Sequence, residues 1–322
     1  MRTSVSNYEF TDRNDLFRVI VVACVDKAKS LGNLDVMRLS LESLFESIRY
    51  PTSITIIDNG SDHETKQYLN NLVVSGRINR LVTNHLNCGK LNPLVSEFYA
   101  TNEDLVTFSD CDVFFYPNWQ HKTVELFSNL SGVGYVGLLP LPSVSIENNS
   151  TFWWQAFFRD FSIKWQSNIF TQQLEMFQES IWGHSEMSYK SREYVVANKN
   201  GLCFIPGAGH VVGTYYRPSI QGLLRFVPFD EWRGAESKYL DPLCDKNGYL
   251  RISTYGFYAM HLGNYVTEKE LTSIKAVRNF DYDQYVLEPY RYIKPLKIKS
   301  FFGRNINGYR VSKVLRKIML GV

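Results

Sequence analysis

Four polar stretches in this chain each follow an apolar run of strand length, and they carry residue types that hold phosphates and cations. Val25-Asp26 ends the run 18–25, and Asp58-Asn59-Gly60-Ser61 follows 53–57. Asn84 through Asn87-Cys88-Gly89-Lys90 follows 80–83, and Asp110-Cys111-Asp112 follows 105–109. Ligands of parallel α/β sheets bind at the carboxyl ends of the strands. Acids, amides and glycines at four consecutive strand ends therefore weigh more than any one of them. Two acids flanking a single residue at a strand end can hold a divalent cation that also binds a diphosphate. The bare triplet is weak, because Asp281-Tyr282-Asp283 repeats it. Context separates the two. Asp110 lies between apolar runs, 105–109 and 113–115, whereas Asp281 follows the charged stretch 275–279 and reads as a solvated turn.

These residues need a scaffold, and the first ~135 residues alternate strand and helix patterns as an α/β sandwich with a mainly parallel sheet does. The run 18–25 is nearly all apolar, as a strand covered on both faces should be. Met37, Leu41, Leu44, Phe45 and Ile48 recur at helical spacing. Ser61-Asp62-His63-Glu64 reads as a capping box opening the next helix. Residues 119–130 read as a helix and 134–138 as a strand. Between 140 and 200 the chain is irregular and aromatic. There Trp154, Phe157, Phe158, Phe161 and Trp165 fall on one helical face, which is read as a core or partner-facing stripe in preference to a sugar-stacking platform. Regular pattern returns at 202–216. A helix is expected at 236–246, ended by Asn247-Gly248, then a strand at 250–253. No internal repeat is visible.

Composition narrows the class. The 322 residues are 44% hydrophobic, 21% charged and 15% aromatic, which suits a globular chain able to bury a core and argues against disorder. A net charge of +3 does not imply a nucleic-acid partner. The charge is uneven, however. Residues 294–322 hold eight Lys or Arg and no acid, leaving 27 basic against 32 acidic residues elsewhere. The five cysteines are scattered, with no metal or disulfide spacing, and read as reduced thiols. The N-terminus has no apolar segment of a secretory signal, and no run approaches the ~20 residues of a spanning helix. A cytoplasmic protein, or one peripheral on the inner face of the membrane, is expected.

Taken in order, strand–Asp-Asn-Gly-Ser, Asn-x-Gly and strand–Ser-Asp-x-Asp resemble the nucleotide-sugar half of a GT-A glycosyltransferase, most like family 2. Further on, Gly207-Ala208-Gly209 with 211–217 is similar to the family's Gly-Ala strand ending in arginine. Phe229-Asp230-Glu231, Glu236 and Gly248-Tyr249 are similar to its Phe-Asp-Glu, Glu-Asp and Gly-Tyr block. Residues 232–236 resemble the Trp-Gly-Gly-Glu stretch of related enzymes, and His261-Leu262-Gly263-Asn264 resembles the late His-x-Gly. The resemblance covers residues 17–265. It implies a nucleotide-sugar half at 1–135, an acceptor half at 136–270 and a basic tail at 271–322. It also implies metal-dependent transfer of a sugar from a nucleoside-diphosphate donor, UDP-linked by preference, to a saccharide or lipid-linked glycan in surface polysaccharide synthesis, with inversion.

By the same resemblance Val25, Asp26 and Asp58 would line the nucleoside pocket, and Asn87 and Gly89 would let the chain approach the base. Asp110 would face ribose and metal, and Asp112 would ligate Mn²⁺ or Mg²⁺. His261 would be a further ligand, with an ordinary packed histidine as the alternative. On charge grounds Lys90 would assist the diphosphate, with a merely solvated lysine as the alternative. The family's usual base is the Asp of Glu-Asp, but this chain has Glu236-Ser237, and Leu243 replaces a later arginine. Glu236 is then the first choice of base and Asp230 the next, against a purely helix-capping role for Glu236. A nucleotidyltransferase would need a Gly-rich loop after the first strand, which 26–30 lacks. A non-catalytic nucleotide- or glycan-binding module is the other alternative. In the tail, Val311, Val314, Leu315 and Ile318 form an apolar stripe among Arg310, Lys313, Arg316 and Lys317. That pattern suits either an anionic membrane surface or docking on the acidic body.

Overall fold

The computed structural model describes residues 15–29, 32–142, 147–158, 160–182, 193–223, 226–228, 231–232 and 234–264, together with 272, 275, 277–281, 289–294, 314, 317 and 318. The first half is laid down as β1 (Phe17–Ala23), α1 (Leu34–Ser47), β2 (Thr52–Asn59), α2 (His63–Val74), β3 (Arg80–Asn84), α3 (Leu91–Ala100) and β4 (Leu105–Asp110). Next come β5 (Val113–Phe115), α4 (Trp119–Asn129) and β6 (Val133–Gly137). Then follow α5 (Ser150–Phe157), β7 (Ser162–Ser167), α6 (Thr171–Trp182), β8 (Glu193–Lys199), β9 (Leu202–Pro206) and β10 (Val212–Tyr216). A π-turn at Glu236–Leu240 runs into α7 (Asp241–Lys246), and β11 (Leu250–Thr254) and β12 (Ala259–His261) follow.

One sheet of ten strands runs in the order β3-β2-β1-β4-β10-β6-β11-β9-β8-β7. The pairings β2–β3, β1–β2 and β1–β4 are parallel, as is β6–β11; β10 is antiparallel to both β4 and β6. Parallel strands need crossover helices, and the short helices between β1, β2, β3 and β4 supply them. On β1, Val19, Val21 and Ala23 join the core beneath α1, α2 and α4, while Ile20 and Val22 join the core beneath α3. This two-sided burial is what the near-continuous apolar run demands.

Three local expectations are corrected. Asp62, not Ser61, caps α2 by accepting from the Thr65 amide, because the Ser61 hydroxyl is taken by the Val25 amide at 3.0 Å. The aromatic stripe is not one helix. α5 ends at Phe157, and Trp165 lies on β7. Phe161 is buried, whereas Phe157 and Phe158 are exposed. The pattern 202–216 is two strands, broken at Gly207, whose φ is +81°. Of the tail, Val314 and Ile318 are described and exposed, while Val311, Leu315, Arg310, Lys313 and Arg316 lie outside the described residues.

Candidate functional site

The loops after the first three strands are tied to one another by polar side chains. The Asp62 amide donates to the Val25 carbonyl at 2.8 Å, and the Lys27 amide donates to Asp62 Oδ2 at 3.1 Å. Asp26 is buried, and its Oδ1 accepts from the Ala28 amide. Asp58 is fully buried; its Oδ1 accepts from the Ser61 amide at 2.8 Å, while Oδ2 is sealed from solvent with no partner. Asn59, which sequence reasoning did not single out, is the hub. Its Nδ2 donates to Asn87 Oδ1 and the Gly89 carbonyl, and its Oδ1 accepts from Asn84 Nδ2 and the Cys88 amide, all at 2.9 to 3.1 Å.

Gly89 has φ +75°, and a Cβ there would stand 2.9 Å from Cγ of Trp232. The close approach that its glycine allows is therefore made by an indole of the downstream block. A cavity of about 300 Å³ opens beside this contact, lined by Asn84, Cys88, Asn92, Phe226 and Trp232 among others.

The next residue carries the charge of the site. Lys90 Nζ lies 2.5 Å from Asp110 Oδ1 and donates to the His210 carbonyl at 3.1 Å. Burial alone would lower the lysine pKa, but Asp110, Glu236 and Asp112 outweigh it and hold the ammonium above its ordinary value. Glu236 is thus brought into the field of the same cation as the Asp-x-Asp acids. It is buried at the start of the π-turn, and Ser237 beside it is exposed. Asp230 lies outside the described residues.

Asp112 faces the other way. Its Oδ2 is 3.2 Å from His261 Nε2, and its Oδ1 is sealed without a hydrogen-bond partner. β5, directly after Asp112, pairs antiparallel with β12, so His261 lies opposite Val113, and the Leu262 amide donates to the Asp112 carbonyl at 2.7 Å. Ser180 holds the far side of the imidazole, 2.8 Å from Nδ1. A carboxylate with a spare buried oxygen beside a braced imidazole fits a divalent cation. No group of three or more His, Cys, Asp or Glu suited to a metal stands together among the described residues. Asp112 and His261 are the two groups that could hold such an ion. Asp110 meets Lys90 through Oδ1, and its side chain is partly exposed.

Between its carboxylates, the Cys111 thiol is pushed up to about 12 by burial first and by Asp112 and Asp110 after it. A buried ion pair absent from the sequence reading adjoins the site. Arg251 Nη2 lies 3.0 Å from Asp241 Oδ1, and His210 Nδ1 lies 2.9 Å from Asp241 Oδ2. Burial pushes the Asp241 carboxyl up, yet Arg251 and His210 more than offset this and hold it below its ordinary value. The partners come from three elements, so no spacing reveals them. His210 did follow the Gly-Ala-Gly stretch that was singled out.

Among solved structures, a mannosyltransferase PcManGT from Pyrobaculum calidifontis in complex with GDP-Man and Mn²⁺ is similar at 12% identity and a TM-score of 0.44. That likeness covers 95% of this chain and 75% of that one. S. aureus TarS 1-349 in complex with UDP is similar at 11% identity and a TM-score of 0.41, over 81% and 64%. A further TarS 1-349 structure matches at 17% identity and a TM-score of 0.30 over 41% of this chain, which spans 39% of that one. No curated protein matches by sequence. The profile of Glycosyl transferase family 2 matches residues 20–184, half of the chain. Together with the α/β sheet whose strand ends gather these polar residues, that match makes this chain a member of glycosyl transferase family 2, with the GT-A fold.

Proposed function

We propose that the protein transfers a sugar from a nucleoside-diphosphate sugar, UDP-linked by preference, to a saccharide or lipid-linked glycan, with inversion. The observation that carries this reading is the meeting of Asp112 and His261 beside the Lys90–Asp110 pair, at the strand ends of a family 2 fold. Breaking the sugar–phosphate bond leaves negative charge on the departing diphosphate. Lys90, freed from Asp110, would bind that charge through its ammonium. Asp112 and His261 would hold Mn²⁺ or Mg²⁺, which when bound neutralises the same diphosphate.

On the nucleoside side, Val25, Asp26, Asn87 and Gly89 would line the pocket, and Asp58, fully buried, would hold the Ser61 turn behind it in place of touching the base. Glu236 takes the proton of the acceptor hydroxyl, with Asp230 next in line. Its burial and its closeness to Lys90 support a carboxylate facing the reacting centre.

No helix among the described residues is long and apolar enough to cross a membrane. The basic tail, with Val314 and Ile318 exposed, supports peripheral contact with an anionic leaflet on the cytoplasmic face, beside a lipid-linked acceptor in surface polysaccharide synthesis. A panel of UDP- and GDP-sugars, read as nucleoside-diphosphate release with and without EDTA, tests the reading. Metal-dependent release is expected. Donor binding without release under any condition would point instead to a non-catalytic binding module.

A further inference from the structure

The Arg251–Asp241–His210 chain is costly to build, because two charges are taken out of water. Arg251 is 3% exposed and rests over the Tyr135 ring, 5.7 Å from its centroid. Asp241 is 6% exposed. His210 differs from both, with its side chain one-third exposed. Its Nδ1 is committed to the Asp241 carboxylate, which, being ionised, can only accept. In the neutral form of the imidazole that bond puts the proton on Nδ1 and leaves Nε2 as a lone-pair acceptor. No described residue hydrogen-bonds to Nε2, and it is not among the sealed atoms.

Backbone bonds fix where this acceptor stands. The His210 carbonyl accepts from Lys90 Nζ, and the next residue's carbonyl accepts from the Asp110 amide at 3.1 Å. The preceding carbonyl, of Gly209, accepts from the Tyr135 hydroxyl at 2.8 Å. His210 is thus pinned on both sides, one hydrogen bond away from the lysine placed at the diphosphate.

We infer that His210 is a substrate-binding residue of the transfer site, its Nε2 accepting a hydrogen bond from a hydroxyl of the transferred sugar, with Asp241 as the positioning residue that fixes the tautomer. This rests on the glycosyl-transfer reading above. The charged groups facing His210 are Asp241 on α7, Arg251 on β11 and Lys90 at the start of α3.

Calorimetric titrations in Mn²⁺ with UDP, GDP, UDP-GlcNAc, UDP-glucose, UDP-galactose and GDP-mannose test this on the full chain. For the parent protein, one sugar should add to the affinity of its bare nucleotide. In His210→Ala the bare nucleotide should bind within about twofold of the parent, while the increment from the sugar falls by about two- to tenfold, the worth of one hydrogen bond. A deoxy analogue lacking the contacted hydroxyl should lose that factor against the parent and nothing against His210→Ala. Asp241→Asn should lose a smaller part of the increment; because that variant strands Arg251, the decision rests on the partly exposed His210. If nucleotides bind but His210→Ala keeps the whole increment, or if no sugar adds affinity to the parent, the inference is overturned and the donor reading survives. If no nucleotide binds the parent, both are overturned.

Discussion

Replacing Lys90 with methionine keeps the length of the side chain and removes its charge. In the parent, Nζ sits 2.5 Å from Asp110 Oδ1, with the two side chains 19% and 29% exposed. Removing one partner of a buried pair costs about 3–5 kcal/mol, whereas an exposed pair is worth at most about 1 kcal/mol. This pair lies between those limits, and Asp112 and Glu236 press on the same spot, so a loss of about 2 kcal/mol is expected. For a chain of 322 residues that lowers the melting temperature by about 3 °C. The sign of the metal effect is the sharper test. Without the ammonium, the carboxylate cluster becomes a better cation site, so Mn²⁺ should raise the melting temperature of Lys90→Met more than that of the parent. Lys122→Met, which removes the lysine paired with Glu125, should move neither value. Thermal unfolding followed by circular dichroism, with and without millimolar Mn²⁺, reads all three proteins. A Lys90→Met protein that melts with the parent, or that gains no more than the parent from Mn²⁺, would refute the idea that Lys90 neutralises this cluster.

Asp112→Ala should abolish the Mn²⁺-dependent part of UDP binding by calorimetry, while Asp283→Ala, in the second triplet, leaves it intact. Glu236→Gln should lower transfer by a general-base factor of about 10²–10⁴ with donor binding retained, measured as nucleoside-diphosphate release at saturating donor. Asp241 is held below its ordinary 3.8 in the fold, so its stabilisation is complete above that value and fades as the pH falls through the folded one. The unfolding midpoint in urea should drop on acidification by less in Asp241→Asn than in the parent. Deleting 294–322 should release the chain from anionic vesicles in co-sedimentation, and raised salt should weaken binding of the intact chain; unchanged binding after deletion would favour docking on the acidic body.

Much of the donor side was legible because its signals are local. A strand covered on both faces must be apolar throughout, and the polar residue ending it then stands at the sheet edge where ligands bind. That logic put Asp58, Asn87, Asp110 and Asp112 at or just after strand ends, where the fold has them. It failed where a side chain had a distant claim on it. Ser61 looks like a cap until the Val25 amide takes its hydroxyl. Phe161 and Trp165 continue a helical spacing that the chain leaves at Phe157, and β7, whose residues are at most half-buried, carries no apolar run to announce a strand. Asn59 stood in its stretch without a role, and Asp241 was missed, for a related reason. Each is defined by partners that only the fold brings to it.

The pairing of β5 with β12 bears on when the site comes into being. Asp112 lies about a third of the way along the chain, and His261 arrives on the last strand among the described residues, joined to it by backbone bonds. During synthesis the donor-side loops can fold while the downstream chain is still being made. The imidazole cannot take its place until residues through Leu262 have been made and β12 has closed on β5. A nascent or truncated chain would therefore carry the tied donor-side loops without His261 beside Asp112, and the ion site proposed for that pair would form only once β12 has closed on β5.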